Sequence, residues 1–95
     1  IFDKHAEILD ARGLARHSLN ACGYSLGARF APSWMEHQMF HTGNPHPILP
    51  SMSLFVHIII MDSDSGTAMT LGRTYLTGED EPRPLSRLGL DLYTK

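Results

Sequence analysis

Cysteine is almost missing from this sequence: Cys22 stands alone, so no internal disulfide can form, and a fold stapled by disulfides is excluded. A reducing, cytoplasmic compartment is the resulting expectation. Basic charge is scarce as well. Eight Lys and Arg against ten Asp and Glu give a net charge of -2. No basic stripe exists to neutralise phosphates, so nucleic acid is not an expected partner. Long apolar runs are lacking too. The longest, Leu54 to Met61, is interrupted by His57 and falls far short of the about 18 apolar residues that a membrane helix needs. The expectation is a soluble chain with no membrane partner. Internal repeats and low-complexity tracts are also absent.

What is there is ordinary for a globular protein, at 42% hydrophobic and 19% charged residues over 95 positions. That length suffices for one small domain with a modest buried core. The chain opens on Ile1 rather than Met, and Asp3, Lys4 and Glu7 break up its first apolar residues, unlike a signal peptide. It reads as a single partial domain, residues 1–95, of a longer protein. A catalytic site built from distant segments would be incomplete in it.

Apolar Phe2, Ala6 and Leu9 recur near helical spacing, Asp3 suits a first turn, and Gly13 supplies a stop, so a helix is expected over Phe2 to Arg12. Leu19 to Leu26, with Gly23 and then Gly27, suggests a strand whose backbone passes close to a ligand or another strand. Pro32, Pro45, Pro47 and Pro50 make most of Ala31 to Pro50 a loop, although Ser33 and Glu36 have capping-box spacing for a short helix. Long ordered loops of this kind are more often functional than structural. Ser53 to Met61 has the β-branched and aromatic composition of a strand buried on both faces. Asp62 to Gly66 is a turn cluster, and Thr67 to Thr77 alternates like a strand that pairs antiparallel with its predecessor. Leu85, Leu88 and Leu92 form an apolar stripe suited to a terminal helix or strand. The fold class is α+β.

The order helix, glycine-flanked strand, proline-rich loop, long strand and hairpin partner resembles the second half of the pita-bread catalytic domain of the creatinase and Xaa-Pro aminopeptidase family. Gly23-Tyr24-Ser25-Leu26-Gly27 is similar to that family's Gly-His-Gly-Ile-Gly or Gly-His-Ser-Phe-Gly strand, and Pro50-Ser51-Met52 to its Pro-Gly-Met. Thr70 to Thr77 matches the spacing of its last strand. The resemblance spans nearly the whole chain and about the last two-fifths of such a domain. It implies a strongly curved antiparallel sheet with an N-terminal helix.

Metal-dependent members of that family hold a dinuclear site with two aspartates, a histidine and two glutamates. The motif alignment puts Tyr24 at the histidine, His57 at the first glutamate and Leu71 at the second; the aspartates would lie before Ile1. Leucine has no lone pair for a cation, and Thr70 and Gly72 are no better ligands, so the resemblance implies loss of the metal site and no cofactor. The Tyr in Gly-Tyr-Ser-aliphatic-Gly, followed by Pro32-Ser33-Trp34-Met35-Glu36-His37, resembles the ectoine-hydrolase-like, non-metal branch, whose members open a cyclic amidine.

Tyr24, Glu36 and His37 are accordingly the candidates for chemistry. A phenol held between glycines donates a hydrogen bond to developing negative charge, a glutamate serves as base and a histidine as acid. Each also has a plainer reading: a packed strand tyrosine, a helix-capping glutamate with Ser33, a solvated histidine. Trp34 and His57 are the candidates for lining the substrate pocket. Trp34 offers a flat face to a cationic or amidinium-like group, or plugs the core. His57, among Val56 and Ile58 to Ile60, lines the pocket or is a satisfied core histidine. His37 and His41 have i, i+4 spacing but lack the glutamate of His-Glu-x-x-His, so a zinc site is not expected. Nothing near Cys22 lowers its pKa, and a buried thiol is the default there.

The resulting expectation is a fragment, inactive alone, of a hydrolase that cleaves a C–N bond, amidine or amide, in a small polar metabolite, from a parent that forms a homodimer. The alternatives are a Xaa-Pro metallopeptidase using dinuclear Mn, Zn or Co, and a catalytically inactive module for binding or dimerisation.

Overall fold

The computed structural model describes residues 1–36 and 39–94. One helix, α1 (Phe2–Asp10), precedes a short 3-10 turn (Ala15–His17) and a four-stranded antiparallel sheet in the order β1 (Gly23–Ser25), β2 (Ser53–Asp62), β3 (Thr67–Leu76), β4 (Arg83–Pro84). The chain is thus α+β with an N-terminal helix. No helix among the described residues is long and apolar enough to cross a membrane.

The helix ends earlier than Arg12 because Gly13 turns left-handed at φ 70°. Its amide bonds to the Asp10 carbonyl at 2.9 Å and the Leu14 amide to the Leu9 carbonyl at 2.8 Å. This is a Schellman closure, which a glycine at that position adopts without steric cost.

The hairpin forms where the alternation places it. β2 and β3 pair over their full ten residues, from Ser53 opposite Leu76 to Asp62 opposite Thr67, with Gly66 turning at φ 69°. Because side chains alternate along a strand, Leu54, Val56 and Ile58 share one face of β2, while Phe55, His57 and Ile59 share the other. The first face carries the core: Cys22, Phe40 and Leu54 are buried together, with Phe2, Met52, Val56 and Ile58 packed against them.

Three expectations need correction. β2 is not buried on both faces: only Leu54 is fully buried, and Met61 is 51% exposed. A ten-residue strand outruns the cover available, since Phe2 is the one α1 residue that reaches the cluster. The strand expected over Leu19 to Leu26 is shortened to Gly23–Ser25, beginning at Gly23 with φ 153° and followed by Gly27 at φ 149°. The apolar stripe of Leu85, Leu88 and Leu92 forms neither helix nor extended strand. It follows the two-residue β4 as irregular chain, with Leu88 71% and Leu92 79% exposed.

The backbone of Gly23 does pass close to another strand. A Cβ there would meet the Phe55 carbonyl and the Phe40 ring. β1 lies between β2 and the Met39–Phe40 backbone, bonded to Phe40 by its amide to the Gly23 carbonyl at 2.9 Å.

Candidate functional site

β1 presents consecutive residues to opposite sides of the sheet, and this divides the candidate residues. Tyr24 pairs with Phe55 in register, so its ring lies on the Phe55–His57 face, away from the core cluster. The Tyr24 and Phe55 rings meet edge-on with centroids 5.4 Å apart, and Tyr24 and His57 do so at 6.3 Å. The proline-rich loop brings Trp34 over this cluster, where its indole Nε1–H donates to the Tyr24 phenol oxygen at 3.1 Å. Tyr24 is 8% exposed and Trp34 59%, so the tryptophan roofs the site and does not plug the core.

Tyr24, Trp34 and His57 thereby line one open cleft of about 530 Å³, together with Leu19, Met39 and Ile59. Among the described residues that line it, none is Asp, Glu, Lys or Arg. His41 also lines it, with Nδ1 2.8 Å from the Thr42 carbonyl. The His57 ring is held by Thr70, whose Oγ1 is 2.8 Å from Nε2. Thr70 faces Ile59 across the ladder, one diagonal step from His57.

Glu36 sits elsewhere. Its Oε2 accepts from the Ser25 hydroxyl at 2.8 Å and its Oε1 from the Ala28 amide at 3.1 Å. It lines a neighbouring pocket of about 670 Å³ with Ser25, Gly27, Arg29 and Ser53. The capping-box reading is also displaced: residues 33–36 are not helical, and the Ser33 hydroxyl accepts from the Met35 amide at 3.3 Å. The structure therefore unites Tyr24, Trp34 and His57 and separates Glu36 from them. His37 lies outside the described residues.

Leu71 is on the wrong face for a shared site. It pairs with Ile58 on the core side, whereas Gly72 lies directly opposite His57. The third position facing Tyr24 and His57 is thus Gly72 or Thr70. A phenol, an imidazole and a hydroxyl do not fit a dinuclear cation pair, which needs bridging carboxylates. Among the described residues, no three His, Cys, Asp or Glu side chains gather as a metal-binding group. Burial pushes the Cys22 thiol above its ordinary range, consistent with an inert core residue.

Sequence reasoning missed Thr70 as the partner of His57 and weighed His41 only as a zinc ligand. The first was accessible, because the hairpin turn fixes the ladder register and so names the residues flanking His57. The second depends on the path of an irregular loop, which no periodicity encodes.

The chain matches no family model, no curated protein and no solved structure.

Proposed function

We propose that this chain supplies the substrate cleft of a hydrolase that opens a C–N bond in a small polar metabolite, as the C-terminal part of a creatinase-type, pita-bread domain acting in the cytoplasm without a catalytic metal. The observation that carries this reading is that Tyr24, Trp34 and His57, each singled out by its motif position, line one cleft whose described residues include no Asp, Glu, Lys or Arg. In the proposed reaction water adds to the carbon of the C–N bond. Its proton passes to the free nitrogen of the His57 imidazole and on to the departing nitrogen, while the Tyr24 O–H stabilises the charge that develops. Glu36 acts here by anchoring: its carboxylate ties the loop that carries Trp34 to Ser25 and Ala28 beside β1.

The test uses the full-length parent, freed of metal by chelation and offered a cyclic amidine and the matching lactam, with ring opening followed by mass spectrometry. Turnover is expected to survive chelation and to fall by about 100-fold or more in Tyr24→Phe and in His57→Gln, the range typical of proton transfer and charge-stabilising groups. Turnover that vanishes on chelation and returns with Mn, Zn or Co would establish the metallopeptidase-like alternative instead. A parent that opens neither ring overturns the hydrolase reading.

A further inference from the structure

The hydrogen-bond inventory of the Tyr24 cleft restricts what it can hold. The indole of Trp34 has one proton and gives it to the Tyr24 oxygen. The phenol's own proton has no acceptor among the described residues and remains available to a ligand. On the other wall, the Thr70 hydroxyl that meets His57 Nε2 also donates to the Ile58 carbonyl at 3.4 Å. A carbonyl only accepts, so with the single Thr70 proton turned to Ile58 it is Nε2 that carries the proton of the 2.8 Å His57–Thr70 bond, whereas a Thr70 proton turned to Nε2 goes with the other tautomer. The first arrangement satisfies the Ile58 carbonyl together with His57, and it leaves Nδ1 as a bare acceptor. At the rim, His41 gives its Nδ1 proton to the Thr42 carbonyl, which leaves its Nε2 as a second acceptor.

We propose that this cleft selects a neutral carboxamide or lactam, whose carbonyl accepts from the Tyr24 O–H and whose N–H donates to His57 Nδ1, with Thr70 as the positioning residue that sets the tautomer. The inference rests on reading the cleft as a substrate site, and it separates amide from amidine, which the sequence leaves open. A protonated amidine offers donors only. It would turn an N–H toward the Tyr24 proton and bring a positive charge against walls whose described residues hold no carboxylate. A planar neutral amide has one acceptor and one donor, matching the Tyr24 proton and His57 Nδ1 in kind, and carries no charge to desolvate.

The experiment is nuclear magnetic resonance on the full chain labelled with ¹⁵N. Long-range proton–nitrogen correlation reports which His57 nitrogen is protonated, and titration with 2-pyrrolidinone and with 2-iminopyrrolidine, a lactam and its amidine counterpart of the same shape, is followed at the Trp34 indole. The expected result is a proton on Nε2 and binding of the lactam about tenfold tighter than the amidine, the equivalent of one matched hydrogen bond. Thr70→Val should mix the tautomers and narrow that preference to less than about threefold, while Thr70→Ser keeps both. A proton on Nδ1, an amidine that binds as tightly as the lactam, or an indole signal unmoved by either ligand overturns the inference. None of these readouts needs turnover. A parent that binds lactam selectively without hydrolysing it overturns only the hydrolase reading, and one that opens amidines through a cleft lacking this preference overturns only the present inference.

Discussion

The ring of Phe55 on β2 occupies the space that a side chain at Gly72 on β3 would need, so the aromatic wall beside His57 exists because residue 72 has no Cβ. Gly72→Ala forces the ring aside and should destabilise the fold by about 1–3 kcal/mol, the usual cost of overpacking. Pairing it with Phe55→Leu should recover part of that loss. Urea unfolding of the two single variants and the double variant checks the coupling, and additive effects would contradict the contact.

Glycines that turn in open space contrast with Gly23, which is crowded by backbone as well as by a ring. Gly23→Ala places a methyl against the Phe55 carbonyl and the Phe40 ring, at a φ of 153° that side chains rarely adopt. This variant is expected to lose its cooperative unfolding transition. Gly43→Ala, with nothing within 4 Å of the added carbon, should cost only the backbone strain of its φ of 72°, about 1 kcal/mol. Thermal melts of both decide the matter; equal losses would refute the crowding at Gly23.

Removing the carboxylate of Glu36 leaves the Ser25 hydroxyl and the Ala28 amide without their acceptor. Glu36→Ala should speed hydrogen exchange at the Ala28 amide by about tenfold or more, the equivalent of about 1.4 kcal/mol of local stability. Ser33→Ala should leave that amide unchanged. If both variants raised it equally, Ser33 and Glu36 would be acting as a capping pair after all.

The hairpin turn should respond to acid. The Ser65 hydroxyl, together with the Asp64 and Ser65 amides and nearby His17, holds the Asp62 carboxyl below its ordinary value of 3.8, against a smaller opposing effect of burial. A carboxyl whose folded pKa is depressed contributes stability that is present above the unfolded pKa and lost as pH falls through the folded one. The Asp64 and Ser65 amide signals should therefore hold steady down to about pH 4 and move below it. In Asp62→Asn that movement should disappear. An acid-induced shift that persists in Asp62→Asn would place its origin elsewhere.

The hairpin was the most legible part of the fold, because strict alternation and a turn cluster at Asp62 to Gly66 specify both strands and their register. Gly13 marked the helix end for an equally local reason. Reading failed where local pattern yields to tertiary supply. The run Ser53 to Met61 looks like a doubly covered strand, yet the described residues cover it only in part, and the leucines after Pro84 stay exposed while their backbone is held by Thr74 and Arg73. The site divides in the same way. Tyr24 and His57 meet because strand pairing brings them together, and a sequence pattern can imply that. Glu36 lies away from them because a loop of irregular torsions carries it to Ser25, and neither spacing nor propensity records such a path.

β1 is only three residues long, and its adjacent Tyr24 and Ser25 serve different hollows. Gaining or losing one residue just ahead of Tyr24 would slide the strand by a single step and exchange the two outlooks, turning the phenol toward Glu36 and the small hydroxyl toward His57. The stretch leading into β1 is therefore held to a fixed number of residues, whereas the loop between His41, at one hollow, and Met52, at the other, can change length and leave both as they are.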